Sequence, residues 1–179
     1  MNANDILIDL LEDNRRRLHR VLAPMPDECL YWQPDPQANS IAVTIWHMAR
    51  IFDVFLVRQA QGKTSQDECW FCQGWADRYD YDPRGLGLDG WGILTGYTPA
   101  EMNALPHFGR ADLLGYLDAV YDNVSAYLDS TTMAELQLDA GDYTRYQHIQ
   151  MALLDNVRHL GEIFALQSAW RRRNRSLSA

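Results

Sequence analysis

An all-α fold, a four-helix bundle with one long loop-rich connection between its second and third helices, is what the sequence predicts. Three observations carry this. Four stretches place apolar residues at the three-and-four spacing of one helix face. Segments that alternate apolar and polar residues, as half-buried strands do, are scarce. One mid-chain stretch, residues 63–108, gathers much of the glycine and several aromatics without sustained periodicity. Amphipathic helices must bury their apolar stripes against one another, and four of them in one chain make a bundle.

The first helix is expected over residues 4–22. Leu7, Leu11, Leu18 and Val21 line one face, Asp9, Asp13, Arg16 and Arg20 stand outside it, and Pro24 and Pro26 end it. The second begins after Asn39-Ser40, a good N-cap pair, and runs to Gly62. From Ile41 to Val57 it is apolar on nearly every side, so it must be buried around most of its circumference. A four-helix monomer leaves each helix partly exposed, which predicts a homodimer contact along residues 41–57. Within 63–108 only Thr98-Pro99-Ala100-Glu101 reads as a helix start, and a connection of this length reads as a functional loop or lid. The third helix, about 110–130, carries Leu113, Leu117, Val120 and Val124 in near-heptad order, followed by Tyr127 or Leu128. The fourth, about 143–172, sets Ile149, Leu153, Val157, Leu160 and Phe164 on one side. These elements predict one domain over 1–173, with 174–179 as a flexible tail.

Composition bounds the partners. At 179 residues the chain can bury a substantial core, and 47% hydrophobic with 22% charged residues is ordinary for a globular domain. No apolar run reaches the roughly 18 residues a membrane span needs. The acidic, amphipathic start is unlike a secretory signal, so a cytoplasmic location without membrane partners is expected. The net charge of −8 repels nucleic acid backbones. The basic run Arg171-Arg172-Arg173-Asn174-Arg175 reads as cations complementing the end of the last helix. Three cysteines, Cys29, Cys69 and Cys72, fit reduced thiols. The Cys69–Cys72 spacing lacks both a second ligand pair for zinc and the strand–turn–helix setting of a redox motif.

One constellation carries chemistry. Asp155 and His159 are four apart on the fourth helix, about 40° of rotation and about 6 Å of rise, so both project from one face. Paired ligands of helical metal sites use this spacing. His47, set among Ile45, Trp46, Met48 and Ile51 in the most buried helix, is the candidate third ligand. Two imidazoles and a carboxylate, with coordination positions left for water or substrate, suit Zn, Ni, Fe or Mn. The plainer reading makes His47 a hydrogen-bonded core histidine and pairs Asp155 with Arg158. Glu162, three after His159, reads as a hydrogen-bond partner of a ligand imidazole, as a general base, or as a solvated surface carboxylate. His148 stands seven before Asp155, about 10 Å along the axis, and reads as lying on the approach to the site or at the surface. His19 falls on an Arg-rich face and His107 in the loops. The glycine-rich stretch 85–90 lacks the strand and Lys-Ser/Thr of a phosphate loop and reads as flexible.

At these residues the chain resembles the DinB-like superfamily of helical-bundle metalloproteins, which includes proteins related to the bacillithiol and mycothiol S-transferases. Three segments carry the resemblance: WQPDPQANSIAVTIWHMARIFDVFL, with an aromatic–Pro stretch leading into the helix that holds the histidine; CQGWADRYDYDPRGLG, similar to a Gly-Trp-x-x-Arg segment; and DNVRHLGEI, similar to His-x-x-x-His-x-Gly-Gln. Together they span most of the chain. The resemblance implies an up-down-down-up bundle, homodimers and a metal held by three histidines. His47 and His159 match two of the ligands. At position 155 many members have His and the mycothiol-dependent maleylpyruvate isomerase has Glu; Asp is one methylene shorter than Glu. The resemblance therefore implies a divalent-metal enzyme using a low-molecular-weight thiol, acting as an S-transferase, a thiol-dependent isomerase or a hydrolase. The competing reading is a non-catalytic dimeric binding or stress-response bundle with a degenerate metal site.

Overall fold

The computed structural model describes residues 3–177. Helix α1 spans Ala3–Leu22 and buries Leu11, Leu18 and Leu22; the prolines that follow admit only a single turn, α2, at Asp27–Leu30. Helix α3, Ile41–Val54, opens on Ser40, whose hydroxyl accepts the Val43 N–H. It continues into a π-helical turn, Phe55–Ala60. Short turns α4 (Cys69–Cys72), α5 (Trp75–Tyr79) and α6 (Pro99–Asn103) punctuate the long connection. The last of these starts where expected, in a reciprocal Thr98–Glu101 capping box. Helix α7, Arg110–Ser130, leads to α8 (Met133–Leu136), the two-residue strands β1 (Asp139–Ala140) and β2 (Tyr143–Thr144), and the long helix α9, Arg145–Leu177.

The fourth helix thus starts two residues later than periodicity indicates, because residues 139–144 form an antiparallel hairpin around Gly141. Of the stretch expected as a tail, residues 174–177 continue the helix; residues 178 and 179 lie outside the described residues.

Side-chain contacts give the helix directions. Asn4 bonds the carbonyls of Leu128 and Thr131 while Arg110 bonds that of Leu22, so α1 and α7 run oppositely. Phe55 meets His148 and Asn156 bonds Met48, so α3 and α9 also run oppositely. Gln167 lies beside Val21, so α9 follows the direction of α1.

Helix α3 is the centre of the molecule. All but one of its fourteen residues are buried. The cover comes from within the chain: α7 and α9 flank it, and the long connection, through Trp70, Tyr81, Ile93, Leu94 and Phe108, closes the remaining side. Residues 41–57 are thus covered by the chain itself, Val43 excepted, and their apolar circumference no longer calls for a second copy.

A buried polar cluster fastens the connection to α3. Arg50 reaches Glu68 at 2.9 Å, and both side chains are fully buried. Glu68 also takes Arg58 at 2.6 Å. Asp53 accepts the backbone N–H groups of Cys69 and Trp70 and the Tyr116 hydroxyl, at 2.8–2.9 Å. The stretch 85–90 is a set of hydrogen-bonded turns rather than an open loop, with Gly85 N–H on Gly90 O and Leu88 N–H on Thr95 O. Gly92 has φ +67°, and a Cβ there would meet the Pro83 carbonyl oxygen at 2.2 Å, so only glycine fits.

Candidate metal centre

His47 leaves α3 toward α9, where Asp155 and His159 stand one turn apart on the facing surface. The three offer one ligand atom each, all within 4.8 Å of one another. His47 Nε2 lies 3.2 Å and His159 Nε2 3.5 Å from the same oxygen, Asp155 Oδ2. The two rings meet edge to face at 4.8 Å between centroids. His47 is buried, while Asp155 and His159 are each about a quarter exposed, so the group lies at the edge of the core and reaches solvent on the α9 side.

The other nitrogen of each ring is already committed. His47 Nδ1 donates to the Ile93 carbonyl at 2.5 Å, and His159 Nδ1 donates to Glu162 Oε2 at 2.6 Å. These bonds fix the tautomers, so a neutral ring presents a lone pair at Nε2. With both rings neutral, two lone pairs and a carboxylate oxygen converge, and Asp155 Oδ2 is buried without a hydrogen bond of good geometry. Such a group wants a cation, and two imidazoles with one carboxylate form a donor set that holds divalent metals. The residues fit a metal ion.

A proton is the competing occupant. The Glu162 hydrogen bond, together with the Asp155 charge, outweighs burial and raises His159 above its ordinary value. Burial pushes the Asp155 carboxyl up, but the facing His47 and His159 rings outweigh it and hold the group below the usual carboxylate range.

The three residues expected to meet do meet, and Glu162 is a hydrogen-bond partner of the His159 ring. Other histidines stand elsewhere. His148 is buried, not on the approach or at the surface: its Nε2 bonds the Ala140 carbonyl at 2.8 Å, and Phe55 and Tyr143 face its ring. The unforeseen β1–β2 hairpin supplies this cover. His19 pairs with Asp118 at 2.9 Å, and the His107 ring lies 4.0 Å from that of Tyr31. Cys69 is buried, and desolvation together with the Asp53 charge pushes its thiol far up; the Cys72 thiol is raised too, which opposes a reactive thiolate pair.

Sequence reasoning missed what holds His47. Three successive carbonyls of the connection are taken by three side chains of α3 and its π-helical extension: Trp91 O by Arg58 at 2.8 Å, Gly92 O by Arg50 at 3.3 Å and Ile93 O by His47. Arg50 and Asp53 did leave a signal, as charges in an otherwise apolar helix.

Among the described residues no helix is long and apolar enough to cross a membrane. The family model described as the DinB superfamily matches residues 10–163. A solved structure, of the conserved protein of locus from Enterococcus faecalis, superposes with a TM-score of 0.76 at 23% identity, covering 93% of this chain and 96% of that one. It shows the same fold. No curated protein matches the chain. With the family model covering most of its length, the chain belongs to the DinB superfamily.

Proposed function

We propose that this protein is a divalent-metal-dependent enzyme acting on a small molecule, with His47, Asp155 and His159 holding the ion. The observation that carries the reading is the meeting of two imidazoles, each already committed at Nδ1, on one carboxylate oxygen. A bound divalent ion supplies Lewis acidity, bringing the pKa of water or of a thiol cofactor toward about 7. S-transfer, thiol-dependent isomerisation and hydrolysis all draw on that chemistry. The chain's own residues do the rest. Ile93 and Glu162 set the two rings, Asp155 brings the negative charge, and the partial exposure of Asp155 and His159 leaves a path for substrate. Glu162 acts as a positioning residue, since its Oε2 is engaged with His159.

Metal analysis of protein purified without an affinity tag tests this. About one ion per chain is expected, lost in His47→Ala and in His159→Ala. Metal-free wild-type protein, with stability unmoved by either substitution or by added Zn²⁺ or Mn²⁺, would defeat the reading. Retention of metal in Asp155→Ala would remove that residue from the ligand set.

The homodimer belongs to the same proposal, now on a different face. Ile6 and Leu10 on α1, and Leu154, Val157 and Phe164 on α9, are 42–51% exposed. Gly161 lies among the α9 residues with nothing within 4 Å of where a Cβ would be, which leaves room for a second helix to approach closely.

A further inference from the structure

A cavity of about 510 Å³ lies apart from the three candidate ligands, between the start of α3 and the stretch from Tyr97 to Phe108. That volume suits a small molecule, whose sites run from about 300 to 1,000 Å³. Ala42 and Val43 form part of its wall. Val43 stands four before His47, one turn or about 6 Å away on the same side of the helix. The cavity and the metal centre therefore share α3 as a common wall.

Four rings, those of Tyr31, Tyr97, His107 and Phe108, stand in the lining among amide, proline and aliphatic side chains, and they are held in place. Tyr31 donates its hydroxyl to the Phe108 carbonyl at 2.7 Å, and its ring lies 4.0 Å from that of His107. Phe108 is backed by the buried Trp46, stacked at 5.4 Å and 9°. The Tyr97 hydroxyl is 3.4 Å from that of Tyr81. With their polar ends engaged, the tyrosines offer ring faces and edges. No Asp, Glu, Lys or Arg lines the cavity, in a chain where such residues make up 22%. Neutral amides such as Asn103 supply the hydrogen-bonding groups. An ion entering here would lose part of its hydration and meet no permanently charged side chain, the His107 imidazole being the one basic group in the lining, whereas a flat uncharged ring would exchange water for ring contacts.

We propose that this cavity binds an uncharged, planar, ring-bearing group, the non-reacting part of the substrate. That the bound group belongs to a substrate rests on the metal-dependent reading; the binding itself does not.

Calorimetric titration of the full chain, stripped of metal at neutral pH, with 2-naphthol and with 2-naphthoate tests the assignment, because the two probes share a ring system and differ in charge. Naphthol is expected to bind at least about tenfold more tightly than naphthoate. Val43→Trp and Met102→Trp, which fill the cavity from opposite walls, are expected to weaken naphthol by about tenfold or more. Met102 is half-buried on a single exposed turn, so its substitution keeps the test valid should Val43→Trp fail to fold. Equal or tighter binding of naphthoate overturns the proposal. So does naphthol binding that is unchanged in a folded Met102→Trp protein. Naphthol binding without any metal binding would defeat the metal reading alone, and metal binding without naphthol binding would defeat the cavity assignment alone.

Discussion

His159 is tied at both ring nitrogens: Nδ1 to Glu162, and Nε2 toward the carboxylate it shares with His47. The first tie governs its proton. Its folded-state pKa is raised above 6.5, with the Glu162 hydrogen bond as the leading cause. In metal-free protein the protonated ring thus contributes stability that is fully present below the unfolded pKa and lost as pH rises through the folded one. A metal needs the deprotonated ring, so affinity for Zn²⁺ should fall with pH through a window that opens above the ordinary imidazole value. Titrations across pH 5–8 would show this, and Glu162→Gln should move the window down. Glu162→Ala, which removes the acceptor and frees the ring to rotate, should lower affinity by about 10–100-fold at pH 8. An unchanged affinity would return Glu162 to the solvated surface. Asp155 and His159 were legible in sequence because helical spacing alone brings them together, and His47 because a histidine in so apolar a helix needs a partner. The Ile93 carbonyl was not, since a backbone atom 46 residues away leaves no mark on side-chain pattern.

At the scale of elements, α3 was readable as a buried helix, but not what buries it. The apolar pattern states that every side must be covered; it does not distinguish a second chain from the chain's own loops. The covering connection was hard to read because backbone turns and side-chain-to-backbone bonds organise it, with little apolar periodicity. Its anchor is the Arg50–Glu68 pair. Removing one partner from such a buried pair leaves an uncompensated charge and costs about 3–5 kcal/mol. Glu68→Gln should therefore lower unfolding free energy by up to about that amount in denaturant titrations, since it strips the counter-charge from Arg58 and leaves Arg50 to Asp53 alone, at 3.6 Å. A loss below about 1 kcal/mol would mean that the connection is held mainly by its aromatic contacts.

For the whole molecule, the unclaimed surface is the α1–α9 face. If two copies meet there, light scattering should give the mass of two chains, and Val157→Glu with Leu154→Lys should give that of one while the far-ultraviolet helical signal persists. The ligands themselves point away from that face, so metal content should survive the change. A monomeric wild type across micromolar concentrations would end the dimer proposal without touching the metal centre.

The grip on Trp91, Gly92 and Ile93 has a further consequence, for exchange of amide protons with solvent. The Ile93 carbonyl holds the His47 tautomer, so any opening that lifts this segment also frees one of the three proposed ligands. Ion and segment then protect one another. An ion present at about a thousand times its dissociation constant adds about 4 kcal/mol against every opening that abolishes binding. Saturating metal should consequently slow exchange at the hydrogen-bonded amides of Trp91 and Gly92 by up to about three orders of magnitude, although neither residue touches the ion.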